Sequence, residues 1–325
     1  RGSRARLAWR YSAVSTDIGT LRIVPRRPPP PLDLASLLPS WELALRAERK
    51  SPATVKSYGN GVRAYLDFCA TDGRAPVLDK ASLNAFTASL LDAGREAATV
   101  RARQLGVRRF SAWLAEEGEI PADPLLGVRA PKLDAKVIEP LTEDQIRALL
   151  RACAGNGMRD RRDEALVRFM LETGSRAGEV VALEVADVDL SAGTAVVRRG
   201  KGGKGRVVPF GPQTARAVDR YKRSRATHRL AGAPALWLGD RGKAFSYEAL
   251  HKTLRERATA AGITGFHPHL LRHTAAHRWL AAGGSEGGLM AIAGWSQPDM
   301  LMRYTRARAS ERAAAEARAL NLGDL

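Results

Sequence analysis

The sequence has 325 residues, and its 52 Lys and Arg against 34 Asp and Glu leave a formal net charge of +18. That length suits roughly two domains of about 150 residues, and the cationic excess points to a polyanion such as DNA, whose phosphates release counterions when neutralised. No apolar run approaches the ~20 residues of a membrane span and no signal peptide is evident; two cysteines, Cys69 and Cys153, argue against a disulfide framework or a Cys-based zinc site and fit a reducing cytoplasm.

Residues 1–33 read as a basic, Pro/Arg-rich leader without packed structure. Through Pro31 it holds seven Arg against the single acid Asp17 and ends in R-R-P-P-P-P, a run that favours polyproline II. From 34 to 127 the pattern is helical. Ser51-Pro52-Ala53-Thr54 introduces Val55, Tyr58, Val62, Leu66 and Cys69 at spacings of three and four. A second stripe carries Leu83, Phe86 and Leu90. A third runs from about Thr99 through Val107, Phe110 and Leu114, with Arg101, Arg103, Arg108 and Arg109 off it. Those four arginines are candidate DNA contacts, against the plainer reading of a solvated face.

Residues 128–140 read as an extended linker, since the residue before each proline is pushed out of the helical region. Thr142 and Gln145 have capping-box spacing and open a second domain over 141–305. Two helices follow, and Gly174 ends the second of them, so that Arg176 starts a short helix with its guanidinium at an element end. A hairpin is expected from Thr194–Val197 and Val207–Pro209 around a Gly/Lys turn that holds Lys201 and Lys204. Asp187 and Asp189 beside it read as turn residues. Thr214 to Arg223 reads as helix, and Ser246 as the N-cap of the next one.

In the stretch from Phe266 to Tyr304, His269 and Arg272 stand three apart at a helix start and can face one way. Trp295 follows an apolar turn, and Tyr304 lies among Met300, Met302 and flanking arginines. A guanidinium, an imidazole, an indole and a phenol suit a site that holds a phosphate and attacks it with tyrosine. The rival readings are a satisfied His–Arg core pair, and a zinc site built from His267, His269, His273 and His277, which lacks a Cys or carboxylate partner. Tyr58, Tyr65 and Tyr221 fit helix stripes as core aromatics, and the spacing of Trp237 and Asp240 carries no signal.

The motifs T-G-S-R-A-G-E (173–179), G-K-G-G-K-G-R-V-V-P (200–209), H-L-L-R-H-T (269–274), A-G-W-S (293–296) and M-L-M-R-Y-T (300–305) resemble, in order and spacing, those of the tyrosine recombinases, or phage-integrase family. Upstream, S-P-A-T-V-K-S-Y and R-R-F-S-A-W-L-A-E-E-G are similar to that family's core-binding domain. The resemblance implies a mainly α fold with a small antiparallel β-sheet: a helical, SAM-like core-binding domain at 34–127 and a catalytic domain at 141–305. It implies site-specific recombination, cutting and rejoining DNA through a 3′-phosphotyrosyl link and a Holliday junction. Arg176 and Arg272 would meet the phosphate's developing charge and Tyr304 would attack it. His269 would serve as base or proton shuttle and Lys201 as general acid, with Lys204 as its rival. Trp295 would occupy the place of a second histidine, and Glu179 would support the site. The mechanism requires no cofactor and no metal. Its partners would be double-stranded DNA at specific sites and three further copies in a homotetramer, with residues 306–325 forming a tail helix docked on a neighbouring subunit. No room is left for an arm-binding domain, which favours a simpler Xer-like or mobile-element enzyme. Two other readings stay open: relaxation of supercoils in the manner of a type IB topoisomerase, and a DNA-binding module without catalysis.

Overall fold

A computed structural model of the chain describes residues 32–133, 138–198, 205–240, 242–295, 297, 301 and 318. The chain divides into two compact units, Arg1–Lys136 and Val137–Leu325. The mainly helical architecture with one small antiparallel sheet is the one expected from the sequence.

The first unit consists, among the described residues, of helices α1 (Leu34–Ala47), α2 (Pro52–Thr71), α3 (Lys80–Asp92) and α4 (Ala97–Glu116). Side-chain caps set three of their starts. Asp33 Oδ1 accepts from Ala35 N at 3.0 Å, Ser51 Oγ from Thr54 N at 3.1 Å and Asp79 Oδ1 from Ser82 N at 2.7 Å, satisfying donors that a helix N-terminus otherwise leaves orphaned. Trp41 packs on Phe110 with ring centroids 5.1 Å apart, and Tyr65 meets Phe86 edge-on at 5.4 Å. Burial of each such aromatic contributes about 2–3 kcal/mol. Leu125 and Val128 close the Tyr65 side of this core. Helices α2 and α4 cross at Gly61 and Gly106, where a Cβ on Gly61 would stand 2.6 Å from the Arg103 carbonyl oxygen. Only hydrogen fits there.

The second unit begins with α5 (Glu143–Ala152), α6 (Met158–Thr173) and α7 (Ala177–Val181), then a 3-10 turn at Val185–Asp187. The capping box at Thr142 and Gln145 forms as its spacing predicts, with reciprocal bonds of 3.2 and 2.9 Å. Strands β1 (Val188–Asp189), β2 (Thr194–Val197) and β3 (Arg206–Pro209) follow, antiparallel in the order β1-β2-β3. Ala195 pairs with Val208 on the buried face and Val196 with Val207 on the open one. Helices α8 (Pro212–Arg225), α9 (Tyr247–Ala260), α10 (Pro268–Ala281) and α11 (Glu286–Ala293) complete the described elements. Their core gathers Phe169, Met170, Tyr221, Trp237, Leu254 and Leu271.

Asp187 closes the 3-10 turn before β1, as expected of a turn residue: it is 4% exposed, accepts from the Glu184 N–H at 2.8 Å and pairs with Arg198. The reading of Trp237 and Asp240 needs correction, since both do carry information. Trp237 Nε1 donates to the Val180 carbonyl at 2.8 Å and so ties α7 to the core, while Asp240 pairs with the buried Arg162. Arg162 also donates to Asp163 and to the Leu238 carbonyl, beneath the Phe245 ring. Arg225 is equally enclosed. Its guanidinium donates to the carbonyls of Ala231, Ala233, Ala235 and Leu236 at 2.5 to 3.0 Å and gives the irregular segment after α8 its shape.

Candidate active site

The site starts where α6 stops. Gly174 takes φ 60°, a left-handed conformation that glycine adopts without steric cost, and its N–H still reaches the Met170 carbonyl at 3.1 Å. Thr173 Oγ1 donates to the Phe169 carbonyl at 2.7 Å and accepts from Ser175 N at 3.2 Å, so this buried polar turn is satisfied. Arg176 then stands at the N-cap of α7, as its sequence position predicts. Its backbone N–H donates to Glu179 Oε2 at 2.9 Å and its Nη1 to Oε1 at 2.8 Å.

Glu179 faces a second cation. Arg206, the first residue of β3, donates from Nη1 to Oε1 at 3.0 Å and from Nη2 to Oε2 at 2.7 Å. Burial pushes the Glu179 carboxyl up, but the hydrogen bonds from Arg206 and Arg176 outweigh it and hold the group below the usual carboxylate range. It is therefore an anion shared between two guanidiniums.

Arg272, one turn into α10, is 2% exposed. Its Nη1 donates to the Gly174 carbonyl at 2.6 Å and its Nη2 to the Ala293 carbonyl at 2.9 Å, joining the end of α6 to the end of α11. Arg206 Nε takes the neighbouring Ile292 carbonyl at 2.6 Å. The last carbonyls of a helix lack intrahelical partners and carry the negative end of its dipole, so two guanidiniums there are doubly favoured. Gly294 then turns the chain at φ 64°, packed so closely on Arg206 that a Cβ would meet its Nη1 at 3.1 Å. Trp295 follows, buried, with the Arg272 guanidinium 5.2 Å from its ring centroid.

His269 lies one turn before Arg272, and the pair divides: the histidine is exposed where the arginine is enclosed. Loss of hydration on the ring's protein side is the main cause that lowers its pKa from 6.5. Arg272, His267, His273 and Arg176 add to it, which places His269 within reach of both guanidiniums' fields. The imidazole is thus neutral at pH 7 and able to accept a proton. His273 bonds the Ile138 carbonyl through Nε2 at 2.6 Å, and Thr274 Oγ1 accepts from Leu141 N at 3.0 Å. The residues after Arg272 therefore anchor the start of this unit. No three His, Cys, Asp or Glu side chains are grouped to hold a metal ion among the described residues.

Of the residues singled out from sequence, Arg176, Glu179, His269, Arg272 and Trp295 come together. Lys201, Lys204 and Tyr304 lie outside the described residues, as do 1–31 of the leader and the tail other than Arg318. In the first unit Arg101 and Arg109 are exposed, while Arg103 and Arg108 are half-buried. Arg101 and Arg108, seven apart, share a face; the Arg103 backbone lies at the α2–α4 crossing. Arg206 is the residue that sequence reasoning missed. A signal existed: in R-V-V-P the strand period puts Arg206 on the same face as the buried Val208, and a charge facing inward demands a partner.

Residues 139–311 match the phage integrase family. Among curated proteins, the chain is 30% identical over 266 residues to the tyrosine recombinase XerD of Bifidobacterium longum (strain NCC 2705), covering 78% of this chain and 86% of that protein. In fold it is similar to the XerH site-specific recombinase bound to palindromic difH substrate, with a TM-score of 0.68, 17% identity, and 87% of this chain and 84% of that one covered. A lambda integrase tetramer bound to a Holliday junction gives a TM-score of 0.63 at 18% identity, over 81% of this chain and 77% of that one. Fold and sequence together thus define a DNA-recombining enzyme class, with neither topoisomerase-like relaxation nor an inactive module favoured. The chain belongs to the phage integrase family, the tyrosine recombinases.

Proposed function

We propose that this chain cuts and rejoins double-stranded DNA at specific sites through a covalent 3′-phosphotyrosyl intermediate and a Holliday junction, acting as a homotetramer on two duplexes. The observation that carries the reading is the meeting of His269 with Arg176 and Arg272, the last of them held by the carbonyls of Gly174 and Ala293. Tyr304 Oη attacks the scissile phosphorus and the 5′-oxygen departs, so one phosphodiester is exchanged for another and the bond energy is kept for rejoining. Arg176 and Arg272 stabilise the charge on the non-bridging oxygens. A free tyrosine titrates near 10 and needs an acceptor, the role assigned to neutral His269. Lys201, or Lys204 in the same turn, protonates the leaving 5′-oxygen. Trp295 packs beside Arg272 and holds its plane.

Residues 34–127 form the core-binding half of a DNA clamp, 128–140 its linker and 141–305 the catalytic half; Arg101, Arg103, Arg108 and Arg109 contact backbone phosphates. The setting is the cytoplasm, a reading supported by two free, buried cysteines and by the lack, among the described residues, of any helix long and apolar enough to cross a membrane. The test is a nicked duplex carrying the site this chain selects from a randomised DNA pool. The unaltered chain yields a covalent adduct stable to denaturation; Tyr304→Phe yields none while its affinity for the duplex stays within about threefold, since only one hydroxyl is lost. An adduct from the phenylalanine variant overturns the assignment.

A further inference from the structure

We propose that Arg206 is a positioning residue for strand cleavage, clamping the Arg176 turn and the Trp295 turn to the first residue of β3 at one fixed separation. The proposal rests on the recombinase reading above. Its grounds are geometric. One guanidinium uses three nitrogens on two elements: Nη1 and Nη2 on the two Glu179 oxygens at 3.0 and 2.7 Å, and Nε on the Ile292 carbonyl at 2.6 Å. Glu179 passes the constraint to Arg176 through two bonds of 2.8 and 2.9 Å. Ile292 passes it to Ala293, whose carbonyl holds Arg272 at 2.9 Å. Gly294 packs close on the same side chain, with Arg206 Cδ and Cζ 3.2 Å from where its Cβ would be. The Arg206 side chain is only 11% exposed, against 27% for Arg176, so it acts through its neighbours rather than on a phosphate.

Charge gives the second ground. With Arg176 as its only cationic partner, the Glu179 carboxylate would cancel the positive charge that Arg176 brings to the phosphate. Arg206 supplies a second cation to the same carboxylate, so the trio of Arg176, Glu179 and Arg206 keeps a net positive charge. Lysine replaces only the charge, because one ammonium cannot reach both carboxylate oxygens and a carbonyl on another element.

The experiment measures adduct formation at saturating DNA, together with affinity and thermal unfolding, on the full chain with the selected nicked duplex. Variants are Arg206→Met, Arg206→Lys, Glu179→Gln and Arg206→Met with Glu179→Gln. Arg206→Met is expected to slow adduct formation on the order of 10²-fold, the loss that small misplacements of reacting groups produce, with affinity within about threefold. Arg206→Lys recovers part of the rate. On the Glu179→Gln background Arg206→Met costs under about threefold more, since the two residues act as one device. Unaltered cleavage by Arg206→Met overturns the proposal. So do losses of rate, affinity and thermal stability in parallel, or full additivity with Glu179→Gln. If the unaltered chain forms no adduct, the recombinase reading falls first and this one with it.

Discussion

At the scale of single residues, the site is governed by which charges are enclosed and what faces them. His269 illustrates the consequence for pH. Its pKa lies below 6.5, chiefly through desolvation and then through Arg272 and its other cationic neighbours. It therefore takes up its proton at a lower pH than a free imidazole does. Adduct formation by the unaltered chain should leave its plateau on the acid side as the proton acceptor is lost, with the fall displaced to lower pH than an unperturbed histidine gives. In His269→Gln the plateau should drop by about 10² to 10⁴, the range for general-base loss, and that acidic limb should disappear. A rate profile against pH, with DNA binding followed in parallel, checks both. Much at this scale was legible from sequence because it is local: Gly174 ends its helix two residues before Arg176, and Glu179 lies within one turn of it. For Arg206 the strand period signals only that it faces inward; its partner Glu179 is distant along the chain, and only the packing of β3 near α7 brings the two together.

Elements place these residues, and their junctions decide how precisely. Helix starts were readable where a side chain caps its own turn, as at Ser51, Thr142 and Ser246. The α2–α4 crossing was not, because a glycine in a helical pattern reads as a weakness until its neighbour across the gap is known. Gly61→Ala should lower the thermal stability of the full chain by about 1–3 kcal/mol, the cost of overpacking, as its Cβ would stand 2.6 Å from the Arg103 oxygen and 3.2 Å from Gly106 Cα. Gly287, exposed in α11 with nothing within 4 Å of its Cβ position, offers the opposite sign. Gly287→Ala should stabilise by about 0.4–1 kcal/mol through the unfolded chain's lost freedom. Calorimetry of the two variants side by side distinguishes packing from intrinsic propensity. Asp187 was legible as a turn residue, but its partner Arg198, across the sheet, was not.

On the scale of the whole molecule, composition spoke early: an excess of 18 positive charges suits a chain whose partner is DNA. Removing residues 307–325 should leave affinity for a single site largely intact while reducing assembly of two duplexes into one complex, as read by native gel mobility and by recombinant product. Recombination undiminished by the truncation would refute a docking role for the tail. Not all of the charge faces outward. Arg162, Arg225 and Arg272 are sealed within the second unit, and each spreads its nitrogens over acceptors in different directions. Arg225 alone gathers four backbone oxygens, so the irregular segment from Ala231 to Leu236 is tied at four points to one side chain of α8. Anyone recoding this chain for expression or trimming its loops should keep Arg225 and that segment together, since Arg225→Lys would leave several oxygens stranded around one cation.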